Sequence, residues 1–383
     1  TGEFSIDFFE ELSFDLDIEA LQFIKNLEDK GLIEAKKRGS EFSPTLVKPK
    51  PVLRTIEVNG KQGLIDRNGK VVIPPKYQAI SEPYGNEPIK VILKENPDTL
   101  EKEVGFLNRH GNLITNQTFQ EAGEFSEGLA YVQIPNTKRN PESTDSYGYI
   151  NESGKLVIPA TFHSASDFVN GRAIVEYWEG QTLKRAVIDR KGTIISELNA
   201  ASEGDHRDGL VLTRTYTANE TLYGYADIRS GKMITPFQFR WAQPFSEGLA
   251  AVRFHDEQGT GFIDSTGRMV IEPKFSIAER FSEGLAAVAI QTENGLKWGY
   301  IDTQGNWVME PIYDEAQSIS EGAAAVRVGG KWGYIDRANQ WILQPQYRYA
   351  NPFLAGLAYN ALDDQGKTWA YVNKQGKIVW KNE

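Results

Sequence analysis

"WGYIDTQGNWVMEPIYDEAQSISEGAAAV" at residues 298–326 decides the fold, because the same frame recurs nine times along the chain. The second residue of the frame is small in every copy: Gly63, Gly105, Gly148, Ala186, Gly224, Gly261, Gly299, Gly333 and Ala370. Asp or Asn follows it three residues later each time. A period of this kind is typical of solenoids, propellers and other repeat arrays.

The Asp or Asn begins a tight turn. In seven copies Gly follows three residues after it, as in "DRNG" at 66–69 and "DTQG" at 302–305. Asp or Asn accepts backbone N–H bonds at the first turn position, and Gly adopts positive φ at the fourth. The flanks are rich in β-formers, so the pattern predicts two strands, B and C, joined by a type I turn with a glycine bulge.

A second turn precedes a third strand. "FSEGLAAV" stands at 245–252 and again at 281–288, and "FSEGLAYV" stands at 125–132. "SEG" predicts a turn and "LAAV" predicts strand A, which runs through a tip into strand B. "AAVRVGGKWGYID" at 324–336 is then a hairpin with Gly-Gly at its apex. Each unit is predicted to be a three-stranded antiparallel meander, with a short fourth strand around "YDEAQSI" at 313–319.

The predicted fold class is all-β, a tandem array of antiparallel three-to-four-stranded meanders over residues 52–383, with eight full units and a partial ninth. No strand is missing that the other terminus would have to supply, and propellers usually have four to eight blades. We therefore expect an open, curved, solenoid-like array. The alternative is a closed, propeller-like ring.

Residues 1–51 differ from the repeats. "DLDIEALQFIKNLEDKGLIEAKKRG" at 15–39 predicts a helix with an apolar face, and "SPTLVKPKP" at 43–51 predicts an extended linker. We expect a small helical cap that covers the open end of the array.

The repeat pattern also resembles a known family. "KWGYID" at 297–302 and 331–336, within "G..VI.P.Y..A..FSEGLA.V", is similar to the WG-repeat family of bacterial proteins. The resemblance covers about residues 55–383, although the unit at 185–216 lacks the Pro and the Tyr. It implies a β-rich repeat used mostly for interaction, and it implies no particular reaction.

Composition excludes several classes of function. The formal net charge of −10 disfavours a nucleic-acid partner. No run of 18 apolar residues is present, so we expect no membrane-spanning helix. The absence of cysteine removes disulfides and thiolate metal sites. We expect no cofactor and a soluble protein, and a secreted or cell-envelope location stays open because the sequence begins at Thr.

Several residues are candidates for binding. Trp178 and Trp241 are expected to be exposed and could stack on a sugar or grip a peptide, whereas Trp307 and Trp341 are expected in the core. The "SEG" turns place Glu127, Glu247, Glu283 and Glu321 in a line that could face a basic partner. One carboxylate per unit is too few for calcium, and a solvated turn is the plainer interpretation.

The leading functional prediction is a non-catalytic scaffold that binds a protein through its variable A–B tips. These tips lie at 94–103, 135–146, 177–184, 215–221, 255–260 and 292–297. A carbohydrate-binding module of the cell envelope is the alternative, and a hydrolase is a distant third. The four histidines fall at unrelated repeat positions, and no catalytic motif is present.

The glycine of the "WG" pair is predicted to be needed for small size rather than for positive φ, because Ala replaces it twice. We therefore expect Gly299→Ala to be milder than Gly305→Val, which would strain the turn.

Overall fold

A computed structural model describes residues 33–38, 41–46, 53–83, 87–135, 145–198, 201–217, 220–254 and 259–382. The chain divides into two compact units, residues 1–51 and 52–383. In the first unit, β1 (Ile33–Arg38) pairs with β2 (Glu41–Leu46) as an antiparallel hairpin.

The hairpin corrects part of the helix prediction. Residues 33–38 were expected to end the helix and are instead a strand, in which Arg38 pairs with Glu41. The extended segment 41–46 begins soon after residue 38, so hydrogen bonds between the two strands satisfy backbone N–H and C=O groups that the end of a helix would leave without partners. The rest of the predicted helix, at 15–32, lies outside the described residues.

In the described part of residues 53–382, nine antiparallel sheets follow one another, one for each sequence frame. The first three sheets contain β3 (Arg54–Val58), β4 (Lys61–Ile65) and β5 (Val71–Tyr77); β6 (Ala79–Ile80), β7 (Ile89–Glu95) and β8 (Lys102–Leu107); β9 (Leu129–Pro135), β10 (Asp145–Asn151) and β11 (Leu156–Phe162). The next three contain β12 (Ser164–Ala165), β13 (Arg172–Glu179), β14 (Thr182–Asp189) and β15 (Ile194–Leu198); β16 (Ala201–Arg207), β17 (Leu210–Tyr216), β18 (Thr221–Asp227) and β19 (Met233–Phe239); β20 (Trp241–Ala242), β21 (Leu249–Arg253), β22 (Thr260–Asp264) and β23 (Met269–Phe275). The last three contain β24 (Ile277–Ala278), β25 (Ala286–Thr292), β26 (Gly295–Ile301) and β27 (Trp307–Tyr313); β28 (Glu315–Ala316), β29 (Ala323–Val328), β30 (Lys331–Asp336) and β31 (Trp341–Tyr347); β32 (Leu357–Ala361), β33 (Trp369–Asn373) and β34 (Ile378–Lys381).

The predicted turns are confirmed. Gly305 has φ +83°, and Asp302 Oδ1 accepts N–H bonds from Gln304 and Asn306, each at 2.9 Å. The two-residue "EG" turns have both central residues at positive φ, for example Glu283 at 54° and Gly284 at 80°. Ser282 and Leu285 exchange backbone bonds across that turn, as a type I′ hairpin requires. The short fourth strand is also present, as β28 in the eighth unit.

The core lies within and between neighbouring sheets. One cluster joins Tyr300 and Met309 of the seventh unit to Ala324 and Ile335 of the eighth. The buried tyrosines of the "GY" pairs donate their hydroxyl hydrogens to backbone carbonyls of the following unit, as Tyr300 does to Gln317 at 2.7 Å. Apolar burial and these directional bonds together fix how each unit sits on the next.

The first and ninth units pack against each other. Tyr371 Oη donates to Thr55 O at 2.7 Å, and Ile56 and Ile65 share a buried cluster with Leu357. A Cβ on Gly69 would lie 2.1 Å from Val379 O, much as one on Gly231 would lie 2.3 Å from Glu197 O between the fourth and fifth units. The same packing relation thus recurs across the junction of the two ends.

These contacts favour the ring alternative over the open array that we expected. No single sheet closes on itself, but the array of nine does. We expected an open array because a propeller commonly closes with a strand supplied by the other terminus. Here the terminal sheets close the ring by packing face against face, as all their neighbours do, so no lent strand is required.

The glycine of the "WG" pair meets the backbone of strand C. A Cβ on Gly299 would lie 2.5 Å from Met309 O and 2.8 Å from Trp307 Cζ3. In that sheet the pairing shifts between Trp298 and Tyr300, so strand C bulges toward the glycine. Small size is therefore the requirement, as predicted, and these glycines are absent from the positive-φ positions.

The two native alanines do not make Gly299→Ala mild. Ala186 pairs regularly with Glu197, and Ala370 pairs regularly with Lys381. Strand C has no proline in those two units, whereas Pro311 lies in the bulge opposite Gly299. Alanine is accepted where the ladder is regular, so the two native alanines give no reason to expect Gly299→Ala to be milder than Gly305→Val.

Trp341 is also placed differently from the prediction. It is 37% exposed on an edge strand, whereas Trp307 is half-buried and packs edge-on against Phe275 of the sixth unit. The rings instead cover the "WG" glycines, since Trp341 Cζ3 would lie 2.8 Å from a Cβ on Gly333. An aromatic ring over a strand glycine restores side-chain packing that the glycine lacks.

Candidate functional site

The meander gives the ring two different faces. Strand A leads from an "SEG" turn to an A–B tip, and strand B returns to the turn that leads into strand C. Every "SEG" turn and every B–C turn therefore lies on one face, which we call the turn face. The A–B tips and the connections from strand C to the next short strand lie on the other, which we call the tip face.

Serine and glutamate of the "SEG" turns bind the following unit. Ser282 Oγ donates to Ile319 O at 2.7 Å, and the N–H groups of Glu321 and Gly322 donate to the two oxygens of Glu283 at 2.7 and 2.9 Å. A carboxylate that accepts two N–H bonds is a strong acceptor because the bonds are charge-assisted. The pair thus acts as a clamp from one turn to the next.

The same clamp recurs at the other candidate glutamates. Glu127 accepts from Asn170 N at 2.6 Å and from Gly171 N at 2.8 Å. Glu247 accepts from Gly284 N at 2.8 Å, and Glu321 accepts from Gly356 N at 2.9 Å. The four glutamates do lie along one face, as the sequence indicated, and each has at least one oxygen bonded to the neighbouring unit.

The two candidate tryptophans lie on the tip face, in different units. Trp178 is 50% exposed near the end of the hairpin of β13 and β14, with its ring edge-on to His163 at 5.7 Å. Trp241 is half-buried in β20, where it pairs with Arg253. The structure therefore does not bring Trp178 and Trp241 into one site.

Trp241 lines a cleft between the sixth and seventh units. A cavity of about 380 Å³ is lined by Arg240, Trp241, Arg253, Ile277 and Ala278. A second cavity of about 500 Å³ shares Arg240 and Arg253 and adds Lys274 and Phe254. One wall of the cleft is apolar, and three cationic side chains lie around the other.

The cations were missed by sequence reasoning. Arg253 is held in place, because its Nη2 donates to Ser276 O at 2.7 Å and to Thr260 Oγ1 at 3.0 Å, and its guanidinium lies 6.0 Å from the centre of the Trp241 ring. Arg240 and Lys274 are exposed. "FRWA" at 239–242, compared with "FSIA" at 275–278, was the signal that could have found them.

Several tyrosine and aspartate groups have shifted pKa values for structural reasons. Burial raises the pKa of Tyr131 to about 12, and the carboxylates of Asp167, Glu121 and Glu124 add to the rise. Burial alone would raise the pKa of Asp302, but N–H bonds from Asn306 and Gln304 hold it below its usual range. These groups lie in separate units, so they form no acid–base pair.

Within the described residues, no group of three or more His, Asp or Glu side chains could hold a metal ion. Over the same residues, no helix is long and apolar enough to span a membrane. His110 and His163 belong to different units, at a B–C turn and at a strand end.

Comparison with known proteins identifies the repeat. The family described as "WG containing repeat" matches residues 63–87, 105–136, 147–177, 223–256, 261–290, 298–332 and 332–364. Together these segments make up more than half of the chain. The frame at 185–216, which lacks the Pro and the Tyr, is not among them. No curated protein matches the chain.

Several solved structures are similar to the chain at low sequence identity. A eukaryotic initiation factor matches with a TM-score of 0.56 and 13% identity, over 86% of this chain and 95% of that one. The β-propeller domain of the Trilobed protease from Pyrococcus furiosus matches with a TM-score of 0.37 and 11% identity, over 68% and 93%. Apo AztD from Citrobacter koseri matches with a TM-score of 0.37 and 11% identity, over 88% and 95%. At 13% identity, the match to the initiation factor concerns the fold alone.

Proposed function

We propose that this chain, which belongs to the WG containing repeat family, is a non-catalytic interaction scaffold that binds a protein partner on the tip face of its ring. The proposal rests on a difference between the two faces of the ring. Bonds that hold the ring together gather on the turn face, and the differences between units gather on the tip face.

The turn face is committed to structure. Its serine and glutamate side chains bind the next unit, and its B–C turn glycines approach the strand C of the preceding unit, as Gly305 approaches Ile271. Groups used in this way cannot vary without a cost in stability. A specific partner is better served by surfaces that vary freely.

The tip face varies from unit to unit. The tip of the eighth unit is a two-residue Gly-Gly turn between Val328 and Lys331, whereas the tip of the ninth connects β32 and β33 through residues 362–368. Length changes at such tips have a low entropic cost, since loop closure depends only logarithmically on length. Of the predicted tips, those at 94–103, 177–184 and 292–297 are fully described. The tip at 135–146 lies largely outside the described residues, and those at 215–221 and 255–260 lie partly outside them.

A glycan ligand has one observation in its favour. In the ninth unit, Trp369 stacks on Tyr349 at 6.1 Å between ring centres and on Tyr359 at 5.0 Å, and Tyr349 is 48% exposed. Planar aromatic surfaces of this kind suit the apolar faces of sugars. The rings already cover one another, however, and Arg348 lies over Tyr349 at 4.9 Å, so we rank this function second.

The test is partner capture by the full chain. Shortening the hairpin of β13 and β14 by residues 177–184, closed with Asn-Gly, should leave the fold intact and weaken capture of a partner identified from source-cell lysate. Arg67→Ala and Lys191→Ala, at exposed turn-face positions, serve as controls and should leave capture unchanged. Loss of capture in the controls alone would place the partner on the turn face and overturn the proposal.

The glycan alternative is tested in parallel. A shift in melting temperature with glycans at millimolar concentration, removed by Tyr349→Ala, would support a sugar-binding module over a protein-binding one. Retention of the captured protein by the full chain, with no shift for any glycan, would support the scaffold.

A further inference from the structure

The cleft between the sixth and seventh units has the features of a site for an anionic ligand. Within the described residues, no carboxylate forms an ion pair with Arg240, Arg253 or Lys274, although the whole chain carries a net charge of −10. Three other basic side chains near the tips form ion pairs: Arg327 with Glu315, Lys297 with Asp314, and Lys184 with Glu179 and Glu197. A cluster of cationic side chains without carboxylate partners favours the binding of an anionic ligand.

The eighth unit has an ion pair at a position where the sixth unit has none. Trp241 pairs with Arg253 across the first two strands of its sheet, and Glu315 pairs with Arg327 at the same place in the eighth. Glu315 and Arg327 form an ion pair, which neutralises that position. In the sixth unit the indole ring of Trp241 takes the place of the carboxylate, so the charge of Arg253 is not neutralised and its guanidinium lies near an aromatic ring.

The apolar side of the cleft indicates that the ligand also has an apolar group. Ile277 is 39% exposed beside Trp241, and Ala278 completes that side of the cavity. A ligand that fills the cleft therefore presents a carboxylate and an adjoining apolar group. An extended polyanion such as a nucleic acid would run beyond the cleft along a chain of net charge −10, whereas a short acidic segment needs only the cleft.

We infer that this cleft binds a short acidic segment of a partner protein, with its carboxylates on Arg240, Arg253 and Lys274 and an apolar side chain against Trp241 and Ile277. The inference rests on the proposed function and gives its tip face a specific site. Arginine and a half-buried tryptophan are the side chains that most often dominate the affinity of such contacts. The hydrogen bonds that Arg253 donates to Thr260 Oγ1 and Ser276 O orient its side chain before the ligand binds, which reduces the entropy lost on binding.

The experiment uses the full chain and a fluorescein-labelled peptide of ten residues that alternates Glu and Leu. Fluorescence anisotropy should show it binding at least about tenfold more tightly than the same peptide with Gln for Glu, since charged hydrogen bonds contribute more than neutral ones. Moderate salt should weaken the Glu peptide and leave the Gln peptide almost unchanged.

Matched variants locate the site. Arg240→Ala and Lys274→Ala should each weaken the Glu peptide several-fold, and Trp241→Glu, which copies the ion pair of the eighth unit, should abolish the difference between the peptides. Arg348→Ala is the control, because Arg348 holds the position of Arg240 in the ninth unit. Circular dichroism melting keeps a folding defect from being mistaken for a binding defect.

Several outcomes would overturn the inference. Equal affinity for the Glu and Gln peptides, or an equal effect of Arg348→Ala and Arg240→Ala, would remove the acidic-segment site. Displacement of the Glu peptide by tripolyphosphate at lower concentration than by unlabelled peptide would reassign the cleft to phosphate ligands. If the cleft fails in this way while removal of residues 177–184 still weakens partner capture, the scaffold function stands without this site.

Discussion

Replacing Gly299 by alanine is expected to destabilise the repeat array by about 2–3 kcal/mol, the upper part of the range for overpacked cores. The new Cβ would lie 2.5 Å from Met309 O, about 1 Å short of an ordinary contact, and 2.8 Å from Trp307 Cζ3. The indole can rotate away, but the carbonyl belongs to the bulge that Pro311 helps to shape. Strand C must therefore move as a whole.

The matched control is Gly105→Ala, at the same position of the second unit. There the nearest atoms are Leu113 Cδ2 at 3.0 Å and Leu93 Cδ1 at 3.3 Å, both at the ends of flexible side chains. Small rearrangements should relieve the contact. Alanine also lowers the conformational entropy of the unfolded chain, which stabilises the folded state by about 0.4–1 kcal/mol. Gly105→Ala should thus change the free energy of unfolding by less than about 1 kcal/mol.

Urea unfolding followed by circular dichroism measures both variants, and the dependence of the free energy on urea checks that the unfolded states are comparable. A neutral Gly299→Ala, or equal losses in the two variants, would refute the account in which the proline bulge of strand C demands glycine opposite it. A structure of Gly299→Ala with strand C unmoved would refute it as well.

The other predictions concern the clamps, the tyrosines, the closure and the turn aspartates. Glu283→Ala should cost about 1–2 kcal/mol in urea unfolding, because it removes two charge-assisted bonds to the next turn, while Glu293→Ala at an exposed tip should be silent; equal effects would mean that the clamp contributes nothing. Tyr300→Phe should cost about 1 kcal/mol by leaving Gln317 O without its donor, and no change would show that water replaces the hydroxyl. Arg54→Ala should speed hydrogen exchange in β3 and β34 more than in β21 and β22, because Arg54 packs over Tyr371 at the junction of the first and ninth units. Uniform exchange would argue for an open array. Hydrogen bonds within the turn hold the pKa of Asp363 at about 2, below the unfolded value near 4, so its contribution to stability is complete above about pH 4 and is lost as the pH falls toward 2. Asp363→Asn should flatten that part of the acid unfolding curve, and an unchanged curve would contradict the assignment.

The sequence by itself determined the local structure of each unit. Asp302 with Gly305 and Glu283 with Gly284 specify their turns through a few backbone torsions and short-range hydrogen bonds, which neighbouring residues alone can set. The alternation of turns and β-rich segments then determined strand order, antiparallel pairing and the number of units. The helix predicted at the start of the chain failed at 33–38, where pairing with a later segment outweighed local propensity.

Closure of the ring, the clamps and the cleft were decided only by tertiary structure. Whether the array closes depends on small rotations that accumulate over nine units, and no single repeat encodes their sum. The carboxylate of Glu283 finds its partners 38 and 39 residues away, at a distance that only the stacking of units brings within hydrogen-bond reach. Arg240 and Arg253 are 13 residues apart and are brought together by the pairing of β20 with β21. Lys274 lies near the end of strand C of the same unit, and Ile277 and Ala278 come from the seventh unit, so the complete cleft exists only once the two sheets are packed together.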